Sequence, residues 1–236
     1  MRDVSEELVI PHRYRGPDTS GNGGWTCGAV ASFVQGRAEV TLRRPPPLDT
    51  PMTVTVDGDR VSVHHGSDLV AAAAPSGSPL HVPPFVAPDE AQAASARYHG
   101  HVHHEFPGCF TCGTARKQGE GLRLFTGPVA GRPELVATTW VPDASLADDG
   151  RHVTPEVTWA ALDCPSVWAH LDDGTAAVLG RLTARIDARP EVGRTYVVVG
   201  EATGGEGRKR FGSAALFSTD GELIAMSNAV WITIDR

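Results

Sequence analysis

One segment, residues 154–171, constrains the fold more than any other part of the chain. Thr154 can cap the free N–H groups of a helix, and Pro155 suits the first helical position, where its missing donor costs nothing. Pro165 is expected to kink such a helix just before its own position. The apolar residues of the segment recur at the spacing of a helix face that packs on a core, namely Val157, Ala160, Ala161, Cys164, Val167, Trp168 and Leu171. The pattern therefore predicts a long, kinked and buried helix.

One acid, Asp163, lies at the edge of this apolar stripe. An unpaired carboxylate near a core is costly, so its presence there indicates a function. Burial raises the pKa of a carboxyl toward neutral pH, which suits a base that takes a proton from water. The alternative is a partly exposed acid on the flank of a helix. Cys164 beside it is a thiol, but a cysteine on an apolar helix face more often serves packing than nucleophilic attack.

The composition is that of a globular protein rich in turns. The chain has 236 residues, of which 41% are hydrophobic and 21% charged, with 26 glycines and 18 prolines. Its net charge of −7 argues against nucleic-acid binding. No apolar run approaches the roughly 20 residues of a membrane-spanning helix, and the acidic N-terminus is unlike a signal peptide. We therefore expect a cytoplasmic protein without a membrane span.

The two halves of the chain share an order of elements. In the first half, a helix is predicted over 23–34 and strands follow it. In the second half, four long strands likewise follow the predicted helix. The first strand of each half runs into an Arg-Pro bend, at Arg44-Pro45 and at Arg189-Pro190. This internal repeat predicts an α+β protein in which two long helices are each wrapped by a curved antiparallel sheet, with the sheets joined edge to edge. We divide the chain into a first unit over 1–80, a connector over 81–120 and a second unit over 121–236.

The connector is unusually rich in histidine and carries a Cys-x-x-Cys pair, Cys109 and Cys112, in a Gly-rich loop. This spacing is half of a zinc site, and two histidines would complete tetrahedral coordination. A solvated loop, a tight turn and a disulfide are the alternatives. Because a single pair is a weak signal, we assign no metal ligand, and the zinc site stays an open alternative. The histidines near this cysteine pair are His99, His101, His103 and His104.

Beyond the connector, residues 122–125 resume a strand pattern.

The segments ALDCPSVWAH and GELIAMSNAVWITID resemble the second half of bacterial acyl-CoA thioesterases of the double hot-dog type, which are thioesterase II-like. The likeness lies in Leu162-Asp163 followed by Trp168 and His170, and in the string 221–225 on the last hairpin. It covers the second helix and the last four strands. The first half matches in the order of its elements and in Asn22-Gly23-Gly24 at the helix start. The resemblance implies a double hot-dog fold.

The resemblance also implies an activity. It implies hydrolysis of an acyl-CoA, or a related acyl thioester, by a water that Asp163 orients or deprotonates. Thr203 falls at the place of a threonine that holds this water in the family. A glutamine is the third partner in the family, and Ala229 stands in its place here. The resemblance implies no cofactor.

The substrate-binding candidates are Asn22, Gly23, Gly24 and Trp159. The two glycines begin a predicted helix, where backbone N–H groups can stabilise a thioester oxyanion as it forms. Close packing of helix on strand is the alternative reason for glycine there. Asn22 is more typical of a helix cap than of a catalyst. Trp159 lies one turn before Asp163 and is taken as a further contact to the substrate.

Fold does not fix function, so a second class stays open. A non-catalytic module that binds acyl-CoA or an acyl chain is favoured by the missing glutamine, whereas the placed aspartate favours the enzyme. A hydratase of the same architecture is disfavoured by the spacing of Asp163 and His170. The expected partner is an acyl thioester and not a nucleic acid, and a homo-oligomer is possible.

Overall fold

The computed structural model describes residues 5–171 and 175–234. Eleven strands in this part of the chain form one sheet, and four α-helices pack on it. The strands are β1 (Ser5–Leu8), β2 (Ala38–Leu42), β3 (Met52–Asp57), β4 (Arg60–His65), β5 (Asp68–Pro75), β6 (Gly127–Val129), β7 (Arg132–Trp140), β8 (Ala176–Ile186), β9 (Tyr196–Glu206), β10 (Lys209–Ser218) and β11 (Leu223–Ile234). The helices are α1 (Gly23–Ala31), α2 (Pro88–Ser95), α3 (Pro155–Ala161) and α4 (Pro165–Trp168).

The sheet order shows the internal repeat. It runs β1-β3-β4-β5-β2-β8-β11-β10-β9-β7-β6, and every ladder between these strands is antiparallel. Read outward from the centre, β2-β5-β4-β3 has the same topology as β8-β11-β10-β9. The two halves meet where β2 pairs with β8, with Val40 opposite Leu182. The predicted edge-to-edge join of two antiparallel sheets is therefore confirmed.

The core lies between this sheet and the helices. One hydrophobic cluster includes side chains of both halves, such as Val30 of α1, Val40 of β2, Leu162 and Leu182 of β8. Helix α1 packs directly against α3. The join between the halves is thus a buried apolar contact as well as a strand pairing. None of the helices in the described ranges is long and apolar enough to cross a membrane.

The prediction of two long helices is wrong. Helix α1 has nine residues, α3 has seven and α4 has four. The predicted kink before Pro165 is present as a complete interruption, because residues 162–164 form a turn between α3 and α4. Proline has no N–H with which to continue the hydrogen bonds of a helix. The interruption changes the surroundings of Asp163, which lies in the turn and not on a helix face.

The connector between β5 and β6 is held by a short helix and by its own backbone. Helix α2 packs on β7. Residues 122–125, predicted to be a strand, belong to no strand, and Arg123 among them has a positive φ of 55°. Their N–H groups at Leu122 and Leu124 instead donate to the carbonyls of Phe110 (2.8 Å) and Thr111 (2.9 Å), which fixes the Cys-x-x-Cys loop. The division into units at residues 80 and 120 stays a prediction.

Candidate active site

Asp163 lies in the turn between α3 and α4, and its side chain is 1% exposed. Ser166 fixes this turn, because its backbone N–H (3.0 Å) and its hydroxyl (2.7 Å) both donate to the Asp163 carbonyl. The carboxyl group is directed at the N-terminus of α1, where the amide of Asn22 donates to Oδ2 at 2.8 Å. The fold therefore brings Asn22 of the first half and Asp163 of the second half into contact.

Asn22 has two tasks at this point. Its Oδ1 accepts a hydrogen bond from the N–H of Trp25 at 2.9 Å, so the predicted helix cap is confirmed. Its Nδ2 donates to Asp163 and also to the hydroxyl of Thr111 at 3.2 Å. The Thr111 hydroxyl in turn donates to the carbonyl of Ala160 at 2.9 Å. The same side chain thus starts α1 and orients the buried carboxylate.

Gly24 is required by the close approach of α1 to the Asp163 turn. A Cβ atom at this position would lie 2.5 Å from the Cβ of Asp163 and 2.8 Å from the carbonyl oxygen of Trp159. Close packing of helix α1 on this turn therefore explains this glycine. Gly23 lines the cavity described below, and it too is closely packed, because a Cβ there would lie 2.8 Å from the side chain of Leu179.

The electrostatics of Asp163 follow from its burial. Removal from water raises the pKa of the carboxyl to about 7, and the Cys109 thiolate nearby acts in the same direction. The N–H of Gly24 and the amide of Asn22 oppose this by stabilising the charged form. Oδ1 makes no hydrogen bond of normal geometry to any residue in the described ranges. Oδ2 is thus held in place by Asn22, whereas Oδ1 is buried without a partner of normal geometry among the described residues.

Asp163 lines a cavity of about 530 Å³. Much of the wall is apolar and comes from Val167, Trp168, Leu179 and Trp231. Asp163 contributes a buried polar group to this wall. The exposed charged and imidazole side chains of the lining include one acid, and they are Arg43, Arg44, His99, His103, Glu105 and Arg208.

Two predicted site residues are not brought to Asp163. Thr203 is exposed and lies outside the cavity lining, at a β-bulge that leaves it without a partner in β10. Trp159 is buried in the core, where its side chain packs against Gly28 of α1, and it does not line the cavity. Trp168, on α4, occupies the cavity wall instead. Of the predicted site residues, Asn22 and Gly23 therefore line the same cavity as Asp163. Gly24 packs against the turn that carries Asp163.

The fold also brings together three cysteines that lie apart in the sequence. Cys109 and Cys112 are buried, and the sulfur of Cys109 lies 3.7 Å from that of Cys164. The three sulfur atoms all lie within 4.8 Å of one another. Hydrogen bonds from the thiols of Cys112 and Cys164 hold the pKa of Cys109 well below its ordinary value. The Cys-x-x-Cys pair is visible in the sequence, but only the fold adds Cys164 to it.

Solved structures with similar folds cover nearly the whole chain. A tesB protein of Mycobacterium avium subspecies paratuberculosis is 16% identical, with a TM-score of 0.61 over 98% of this chain and 93% of that one. A protein of Alicyclobacillus acidocaldarius with a hot dog fold is 11% identical, with a TM-score of 0.60 over 98% and 94%. The chain has a double hot-dog fold.

This fold is shared with an acyl-CoA thioesterase II, TesB2, of Mycobacterium marinum, at 11% identity and a TM-score of 0.53 over 98% of this chain and 93% of that one. No protein-family model matches the sequence, and the search of curated proteins gives no match either. The structural likeness confirms the predicted double hot-dog architecture.

Proposed function

We propose that the chain hydrolyses an acyl thioester, with acyl-CoA as the substrate class, by means of a water activated by Asp163. One observation carries the proposal. A buried carboxylate, held at Oδ2 by Asn22 and without a partner at Oδ1, lines a largely apolar cavity. An unpaired buried oxygen is costly to keep unless something binds it, and we place the attacking water on this oxygen.

The proposed reaction is an addition followed by an elimination. Oδ1 of Asp163 accepts a proton from the water while the water oxygen bonds to the thioester carbonyl carbon. The carbonyl oxygen takes the negative charge, and the N–H of Gly23 at the start of α1 stabilises it. The C–S bond then breaks, the carboxylic acid forms, and the leaving thiolate recovers the proton from Asp163. No covalent intermediate with the protein is needed.

The cavity lining supports acyl-CoA as the substrate class. The apolar wall formed by Val167, Leu179 and Trp231 suits an acyl chain. The exposed Arg43 and Arg208 belong to the same lining and suit the phosphates of CoA. Four buried free thiols persist in a reducing compartment, which supports a cytoplasmic location as part of the proposal.

A second function, binding of an acyl thioester without hydrolysis, is favoured by two observations. Ala229 stands where the resemblance implies a glutamine, and it is buried in β11 opposite Leu182. Thr203 does not reach the cavity. In this alternative the cavity holds the acyl chain, and the carboxylate only orders water.

A panel of thioesters separates the two functions. Release of free CoA is followed for acyl-CoA substrates of increasing chain length, and binding of the same compounds is measured calorimetrically. Turnover of at least one chain length supports hydrolysis. Saturable binding across the panel with no release of thiol would contradict hydrolysis and support the binding function.

A further inference from the structure

Three thiols from distant parts of the sequence meet beside the candidate active site. Cys109 and Cys112 come from the connector, and Cys164 comes from the turn between α3 and α4. All three are nearly fully buried and free of disulfide bonds. Three buried sulfurs that lie within 4.8 Å of one another form a donor set for a metal that prefers thiolate ligands.

The spacing of the sulfurs fits a tetrahedral ion. Zinc–sulfur bonds of about 2.3 Å at tetrahedral angles place neighbouring sulfurs about 3.8 Å apart. The sulfurs of Cys109 and Cys164 are 3.7 Å apart. This separation is far beyond the about 2.05 Å of a disulfide bond. Cys109 and Cys164 are therefore already spaced as two ligands of one ion, and the sulfur of Cys112 lies within 4.8 Å of both.

The loop around Cys109 is built to stabilise a thiolate. The backbone N–H groups of Thr111 and Cys112 both stabilise negative charge on the Cys109 sulfur. The amide of Asn22 adds an N–H donor at 3.7 Å from the same sulfur. Gly113 closes the loop, since a Cβ there would lie 2.4 Å from the carbonyl oxygen of Cys109. Backbone N–H groups that converge on one atom form an anion-binding nest, which suits a metal-bound sulfur.

The sulfur of Cys112 has neighbours of the same kind. The indole N–H of Trp168 has no acceptor of normal geometry in the described part of the chain, and it interacts with the sulfur of Cys112. His104 is also close, with Nε2 at 3.4 Å from that sulfur. Its Nδ1, however, accepts from the N–H of Phe106, so Nε2 carries the proton and donates to the carbonyl of Cys112. His104 therefore braces the loop and is not a ligand in this arrangement.

We propose that Cys109, Cys112 and Cys164 bind one zinc ion as three thiolates, with the fourth position filled by a water from the cavity. The three thiols lose their protons to solvent as the ion binds. The ion would tie the connector to the turn that carries Asp163. The proposed zinc site does not depend on the proposed hydrolysis, because its tests measure bound metal and not turnover.

The first test is the metal content of the full chain, purified without a histidine tag and without chelator. We expect about one equivalent of zinc in the wild type and loss of most of it in Cys164→Ser. Cys27→Ser is the matched control, because Cys27 is equally buried but lies outside the cluster. It should keep its zinc. Less than about 0.1 equivalent in the wild type, or equal zinc in Cys164→Ser and the wild type, would overturn the proposal.

A second measurement needs no variant and covers the case in which Cys164→Ser does not fold. Cobalt(II) is added to the metal-free wild type, and the sulfur-to-cobalt charge-transfer absorption is recorded. Three thiolate ligands should give a strong band that zinc then removes. A spectrum without that band would contradict the site, and so would a mass spectrum that shows a disulfide among the three cysteines in protein purified under reducing conditions.

Discussion

The amide of Asn22 donates to the carboxylate of Asp163 at 2.8 Å, although 141 positions separate the two residues in the chain. Asn22 begins the helix of the first half, and Asp163 lies in the helical turn of the second. The candidate site is therefore a product of the pairing of the two halves. Neither half alone contains the oriented carboxylate.

The substitution Asn22→Ser tests this relationship. Serine still accepts the N–H at the start of α1, so the helix cap is kept, but the amide donor to Asp163 is lost. We expect kcat for the preferred thioester to fall on the order of 10- to 100-fold, because the carboxylate is no longer held in place.

Asn22→Ala is the comparison variant, since it loses the cap as well. It should unfold more easily than Asn22→Ser by about 1 kcal/mol in a urea titration. Wild-type kcat in Asn22→Ser would show that the hydrogen bond between Asn22 and Asp163 has no part in the reaction.

The substitution Gly24→Ala tests the packing of α1 against the Asp163 turn. The added methyl group would meet the Cβ of Asp163 at 2.5 Å and the carbonyl oxygen of Trp159 at 2.8 Å. We expect a loss of about 1–3 kcal/mol in the free energy of unfolding. Gly77→Ala is the matched control, since a Cβ there meets nothing within 4 Å. Equal stability of the two variants would refute the packing explanation.

The arginines of the cavity lining give a prediction about the substrate. In the double variant Arg43→Ala with Arg208→Ala, we expect KM for acyl-CoA to rise roughly 10-fold, because contacts to the CoA phosphates are lost. KM for an acyl-N-acetylcysteamine thioester, which has no nucleotide, should not change. Arg60→Ala, at an exposed hairpin outside the lining, is the control. An equal rise for both substrates would contradict recognition of CoA through these arginines.

The architecture was predictable because local signals and the repeat agree. The predicted bend at Arg44-Pro45 lies between β2 and β3, and the order of elements after each helix matches the sheet topology. Helix length was not predictable from apolar spacing, because the spacing continues through Pro165 while the backbone does not. The turn rotates Trp168 into the cavity wall and leaves Trp159 in the core.

The site was only partly predictable for a related reason. Asp163 stands out as an acid in an apolar stripe, and Asn22 as a cap, so local rules find both. Thr203 lies in the exposed end of β9, at a bulge in the pairing with β10, which residue type does not reveal. The meeting of Cys164 with Cys109 depends on how the connector crosses the α3–α4 turn. Contacts between distant segments follow from tertiary packing, which a single sequence does not encode locally.

The most direct measurement is the kcat of Asp163→Asn with a saturating acyl-CoA. Asparagine keeps the shape of the side chain and removes the base, so we expect kcat to fall by about 10²–10⁴ while the affinity for a non-hydrolysable acyl-CoA analogue is unchanged. Asp57→Asn, on the exposed hairpin, should match the wild type. A wild-type kcat in Asp163→Asn would contradict the account.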